Sequence, residues 1–122
     1  MGFEENHLVK FLGIPFAQQP RGALRFKRAQ KVQPWDGVLQ ADHYGDAAPQ
    51  FDQGRFLGSE DCLTLNVVRP QEGEKLPVFV WVHGGGFTKG SASSPLYSGE
   101  SFAKDGVVFV SIQYRLCLLY TS

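Results

Sequence analysis

"LPVFVWVHGGG", residues 76–86, decides how the chain is read. Five consecutive apolar residues, Val78 to Val82, follow a proline and run into three glycines. A continuous β-branched and aromatic run of that length suits a strand buried on both faces, as in a parallel sheet. The glycines let the backbone turn sharply and leave no side chains over the peptide N–H groups. Open α/β sheets place ligand crevices at the carboxyl ends of such strands. Two or more N–H groups aimed at one point there can hold a developing oxyanion. Losing one such donor typically costs about 10²- to 10³-fold in rate. A plain connecting turn would also use glycine, but His83 before the triplet and Phe87 after it make this more than a spacer.

Downstream, "VVFVSIQYRL" (residues 107–116) reads as a second buried strand. Between the two, Pro95 marks a helix start, Leu96, Phe102 and Ala103 could line one face, and Gly106 closes the segment. Strand, helix and strand in that order imply a right-handed parallel crossover. Upstream, "CLTLNVVRP" (62–70) alternates Leu63, Leu65 and Val67 with Thr64, Asn66 and Val68, a half-buried strand stopped by Pro70. Residues 8–17 read as a short strand leading into a turn, and Asp36-Gly37 as a turn before another short strand. Residues 18–36 and 44–61 read as irregular. The expected fold class is α/β, with a small antiparallel N-terminal region.

The 122 residues suffice for one domain core, and 43% hydrophobic with 20% charged residues is a globular balance. Twelve basic and twelve acidic residues cancel, which removes any global electrostatic case for nucleic acid or an anionic membrane. No apolar run approaches the roughly 20 residues of a membrane span. The charged start "MGFEENHLVK" shows no secretory signal, and Asn6 stands where a myristoylation site wants Ser or Thr. The absence of a visible signal favours a cytoplasmic location and leaves the compartment open. Cys62 and Cys117 make no disulfide framework, and His7, His43 and His83 share no metal-ligand spacing. Both thiols are expected to be free and buried. No cofactor is called for: "GGGFTKG" is neither a phosphate-binding loop nor a dinucleotide fingerprint.

"YSGESFAKDG" (97–106) contains Gly-Glu-Ser-Phe-Ala, one residue short of the G-x-S-x-G elbow of serine hydrolases. An elbow needs a buried strand before the serine and a glycine two residues after it. Loop precedes Ser101 and Ala103 follows, so Ser101 reads as an ordinary helix serine.

The glycine loop and four further blocks resemble the type-B carboxylesterases of the α/β-hydrolase fold, in that family's order, over about residues 9–116. The blocks are "FLGIPFAQQPRGALRF" (11–26), "PWDGVLQADHYGDAAPQ" (34–50), "SEDCLTLNVVRP" (59–70), "LPVFVWVHGGGF" (76–87) and "GVVFVSIQYRL" (106–116). Esterases of the hormone-sensitive-lipase type share the His-Gly-Gly-Gly loop but not the first and third blocks. The resemblance implies that Gly85 and Gly86 supply oxyanion N–H groups, with Gly84 and His83 shaping the loop and His83 not the catalytic base. It implies a buried structural ion pair between Arg25 and Glu60, structural roles for Asp61 and Asn66, and Trp35 and Trp81 packed in the core or near the pocket. The substrate it implies is a small-molecule carboxylic ester.

Three departures accompany it. Ala48 stands where secreted members carry a cysteine that pairs with the one at Cys62. Gln113 replaces the usual Asn. After Leu116 the family continues with Gly and an apolar run, whereas this chain gives "CLLYTS" (117–122), expected to be a non-native tail. The family's serine, acid and histidine would all lie beyond residue 116. The chain is thus expected to be an N-terminal fragment of a single domain, inactive alone and prone to aggregate. The alternative, a fragment of an esterase-like adhesion or scaffold protein without a triad, is disfavoured by the intact glycine loop. Oligomeric state is not set by any feature of the chain.

Overall fold

The computed structural model describes residues 1–117; the expected non-native tail therefore lies, from residue 118 onward, outside the described residues. Seven strands and one helix follow in chain order: β1 (Phe3–Glu5), β2 (Leu8–Pro15), β3 (Gln50–Asp52), β4 (Arg55–Leu57), β5 (Thr64–Pro70), β6 (Val78–Val82), α1 (Glu100–Lys104) and β7 (Val108–Ile112). Single 3-10 turns occupy Gly22–Leu24 and Pro95–Tyr97. Five strands form one mixed sheet in the order β1-β2-β5-β7-β6. Only β6 and β7 run parallel, Val80 opposite Val110; the other pairs are antiparallel. The α/β class, the parallel crossover through α1 and an antiparallel N-terminal region are as read, and the antiparallel strands continue the same sheet.

The two faces of this sheet differ. One carries Leu8, Lys10, Val68, Phe109, Phe79 and Trp81, and α1 packs on it. Leu8, Val68, Ala103 and Phe109 form a buried cluster there, with Trp81 against it. Phe79, Phe102 and Phe109 stack at 4.7 to 6.0 Å between ring centroids. Gly99, at φ +74°, lies against the Phe109 ring, where any Cβ would collide, so α1 can approach the sheet closely. Lys10 is buried on this side and is held by Glu5 of β1 and Glu100 of α1 (2.6 Å), joining two strands and the helix. A second buried cluster, Ala17, Ala48, Cys62 and Leu63, is covered by Leu116.

The other face carries Val9, Phe11, Leu65, Val67, Val108, Val110, Ile112, Val78, Val80 and Val82. None of these ten is buried among the described residues. Two expectations are corrected here. β6 is an edge strand, not one buried on both faces: Val78, Val80 and Val82 are 62%, 55% and 55% exposed because no described element packs on their side of the sheet. In β5 the alternation holds, but Thr64, Asn66 and Val68 are the buried set. Asn66 can sit inside because its side chain accepts from Gly13 N and donates to Ser111 Oγ.

Other corrections are local. The segment 44–61 contains the hairpin β3–β4, turning through Gln53 and Gly54, both at positive φ. No strand follows Asp36-Gly37; residues 39–42 instead bridge to Met1 and Leu12. The helix is only five residues long, and Leu96 is 87% exposed rather than lining a core face. Trp35 is exposed too. Cys62 is fully buried and free, while Cys117 is free but only half-buried. Arg25 and Glu60 do form a two-bond ion pair (2.5 and 2.7 Å), but an exposed one, because no described element covers it. Such an exposed, solvent-screened pair adds little to stability. Asp61 pairs with Arg21 beside it (2.8 Å), also at the surface.

Candidate active-site loop

β6 ends at Val82 and delivers the chain into His83, which is almost fully buried. Its ring stacks on Tyr114 with centroids 4.3 Å apart and planes 16° from parallel, and the Tyr114 hydroxyl donates to the His83 carbonyl. Tyr114 lies just past β7, so the neighbouring strand fixes the entry to the loop. His83 Nδ1 sits 2.9 Å from the Gly84 carbonyl oxygen. A carbonyl only accepts, so Nδ1 carries a proton and donates it to the loop. Nε2 is buried without a partner among the described residues. The carboxylate contact belongs to another histidine, His43 beside Asp42 at 2.6 Å on the surface.

The glycines follow at φ values that few other residues adopt: +127° at Gly85 and +61° at Gly86. The Gly85 carbonyl turns inward and accepts from Thr88 N (3.1 Å), Lys89 N (3.3 Å) and Thr88 Oγ1 (2.9 Å). No peptide bond here is cis. In a planar trans peptide the N–H points opposite to the carbonyl before it. With the Gly84 carbonyl against the His83 ring, the Gly85 N–H is directed away from that ring. With the Gly85 carbonyl held in the turn, the Gly86 N–H is directed out of the turn. Neither N–H donates to a backbone carbonyl among the described residues.

Space around the loop is uneven. A Cβ on Gly84 or Gly86 would meet no heavy atom within 4 Å, whereas one on Gly85 would run into the Lys89 carbonyl oxygen. Phe87 stands exposed at the rim, edge-on to Tyr114 at 6.1 Å. Beneath the loop, the return segment 90–92 is bonded by two buried glutamines, Gln50 and Gln113. Sequence reasoning marked Gln113 only as a departure and gave Gln50 no role. A buried glutamine leaves no periodic signal in a sequence.

Ser101 lies exposed in the first turn of α1, with the turn residues 95–99 before it and no strand. Among the described residues no three His, Cys, Asp or Glu side chains gather as a metal site. No described helix is long and apolar enough to cross a membrane.

A parallel strand pair with a glycine loop at the first strand's carboxyl end defines an α/β protein, a class whose ligand crevices lie at such strand ends. The profile of the Carboxylesterase family matches residues 2–119, and the chain belongs to that family. It is 47% identical, over 92% of its length, to the medium-chain fatty acyl-CoA hydrolase precursor of Anas platyrhynchos, covering 23% of that protein. It is 43% identical to the para-nitrobenzyl esterase of Bacillus subtilis, over 94% of this chain and 25% of the relative. A solved PNB esterase superposes with a TM-score of 0.88 at 43% identity, covering 94% of this chain and 25% of that one. A Geobacillus stearothermophilus carboxylesterase does so at 0.86 and 40% identity, over 96% and 25%. The fold is that of part of a carboxylesterase α/β-hydrolase domain, and the chain spans about a quarter of the length of these relatives.

Proposed function

We propose that this chain is the oxyanion-loop portion of a serine esterase that hydrolyses small-molecule carboxylic esters. In this reading Gly85 and Gly86 donate their N–H groups to the carbonyl oxygen as it gains charge. Gly84 and His83 shape the loop. The serine nucleophile, its histidine and its acid come from sequence after residue 116. The serine attacks the ester carbonyl, the histidine carries its proton to the leaving alcohol, and water then releases the acyl-enzyme. The observation that carries the reading is the pair of N–H groups of Gly85 and Gly86 at the tip of β6, each turned away from the partner of the preceding residue's carbonyl. The names borne by the relatives, a fatty acyl-CoA hydrolase and a para-nitrobenzyl esterase, support it. His83 suits a shaping role, since a protonated Nδ1 bonded to its own loop and a buried Nε2 leave it no proton path to a substrate.

The test is hydrolysis of a 4-nitrophenyl ester by the protein translated in full from its gene. Gly86→Ala should lower kcat by about 10- to 100-fold, because a methyl at φ +61° forces the N–H out of aim. The 122-residue chain by itself should release nitrophenol no faster than buffer, with or without Ser101→Ala. Turnover by the isolated chain that Ser101→Ala abolishes would refute the assignment.

A further inference from the structure

We propose that Gln50 and Gln113 are positioning residues for the oxyanion donors, setting the aim of the Gly85 and Gly86 N–H groups by fixing the backbone beneath them. The inference rests on the reading of those two glycines given above.

Both side chains are nearly sealed from solvent, Gln50 at 6% and Gln113 at 1% exposure, so each amide must be satisfied internally. Gln50 opens β3 and spends its amide on one residue across the fold. Its Oε1 accepts from Gly90 N at 2.9 Å, and its Nε2 donates to Gly90 O at 3.0 Å and to Ala48 O at 3.1 Å. Gln113 follows β7. Its Oε1 accepts from Ala92 N at 3.0 Å and its Nε2 donates to Ser91 Oγ at 2.8 Å. The same Ser91 hydroxyl accepts from Ser93 N at 3.1 Å. Residues 90–93 are thereby tied to two elements, the β3–β4 hairpin and the end of β7, that are distant in sequence.

This segment is the floor of the glycine loop. A Cβ on Gly90 would run into both the Gly84 carbonyl oxygen and His83 Nδ1, so the Gly90 backbone lies directly against the Gly84–Gly85 peptide. That peptide is rigid, and its far end is the Gly85 N–H. The Lys89 carbonyl lies against the Gly85 α-carbon, and Lys89 N and Thr88 N hold the Gly85 carbonyl, whose peptide ends in the Gly86 N–H. A shift of Gly90 therefore tilts both donors. The glutamines bond to none of the loop residues 84–89 themselves; they act through the return segment.

The bond directions make the two sites respond differently to one substitution. Nε2 of Gln50 donates to two carbonyl oxygens, which a carboxylate would repel. Nε2 of Gln113 donates to a hydroxyl, which can reverse and donate to a carboxylate. Gln50→Glu should fail where Gln113→Glu succeeds.

The experiment uses the protein translated in full from its gene, a 4-nitrophenyl ester, and an aryl trifluoromethyl ketone, which forms a charged adduct in the oxyanion position. In Gln50→Met and Gln113→Met, kcat should fall by about 10- to 100-fold with KM little changed, and ketone affinity should fall in step. Gln113→Glu should recover most of the kcat lost in Gln113→Met, whereas Gln50→Glu should recover none of that lost in Gln50→Met. Circular dichroism and thermal unfolding identify the folded variants. If Gln50→Met does not fold, Gln113→Met, at the end of β7, carries the expectation by itself. An active wild type whose folded glutamine variants keep wild-type kcat and ketone affinity overturns this inference alone. So does equal behaviour of the two Glu variants. A wild type without esterase activity overturns the ester reading, and this inference falls with it.

Discussion

Lys10 is the residue whose charge joins the most structure. Burial pulls its pKa down, but hydrogen bonds and charge from Glu100 and Glu5 outweigh that and leave it raised. Glu100 moves the other way, lowered chiefly by the hydrogen bond from Lys10. The Lys10 contribution is therefore whole below the ordinary lysine value of about 10.4 and is lost as pH rises through the raised one. The Glu100 contribution is whole above the ordinary carboxylate value of about 4.3 and is lost as pH falls through the lowered one. Lys10→Met should cost about 2 kcal/mol at pH 7. That gap should shrink as pH falls below the ordinary carboxylate value and through the lowered one of Glu100; urea unfolding across that range measures both. Lys10 gave no warning in the sequence, because a lysine within an apolar stretch looks the same whether it points out or in. Its partner on α1, ninety positions away, is supplied only by the fold.

Among the elements, β5, β6 and β7 were legible because apolar runs bounded by proline and glycine leave few alternatives. What pattern could not supply was which side of each strand would be covered. In β5 the more apolar set, Leu65 and Val67, is the less covered one, and Asn66 takes the inside because Gly13 N and Ser111 Oγ await it. In β6 the run is apolar throughout, yet one neighbouring strand covers only part of it. The hairpin β3–β4 escaped because three-residue strands carry too short a pattern, and the helix was overestimated because Pro95–Tyr97 forms a separate 3-10 turn with Leu96 exposed, before α1 begins. The glycine loop was legible as a motif; its supports, Tyr114, Gln50 and Gln113, act through single bonds that no periodicity announces. An exposed apolar edge invites pairing between chains. Val80→Lys, on the open edge of β6, should reduce self-association of the 122-residue chain, read as a lower weight-average mass by light scattering.

Taken whole, the molecule has one finished side and one bare one. The side under α1 holds a packed cluster, while ten apolar positions from β2 to β6 are left without cover among the described residues. A contiguous apolar surface of that kind is rare on a soluble monomer. The 122-residue chain should accordingly brighten an anilinonaphthalene dye at neutral pH, and an unchanged dye signal would show that the face is covered in solution. The second cluster behaves otherwise. Cys62 has no exposed surface at all, and burial also raises its pKa, keeping it in the unreactive thiol form. Cys117, only half-buried, has no such protection by position. One sulfur thus answers a disulfide reagent at once and the other only when the packing around Ala17, Ala48 and Leu63 comes apart, which makes the slow colour change a clock for how often this domain breathes.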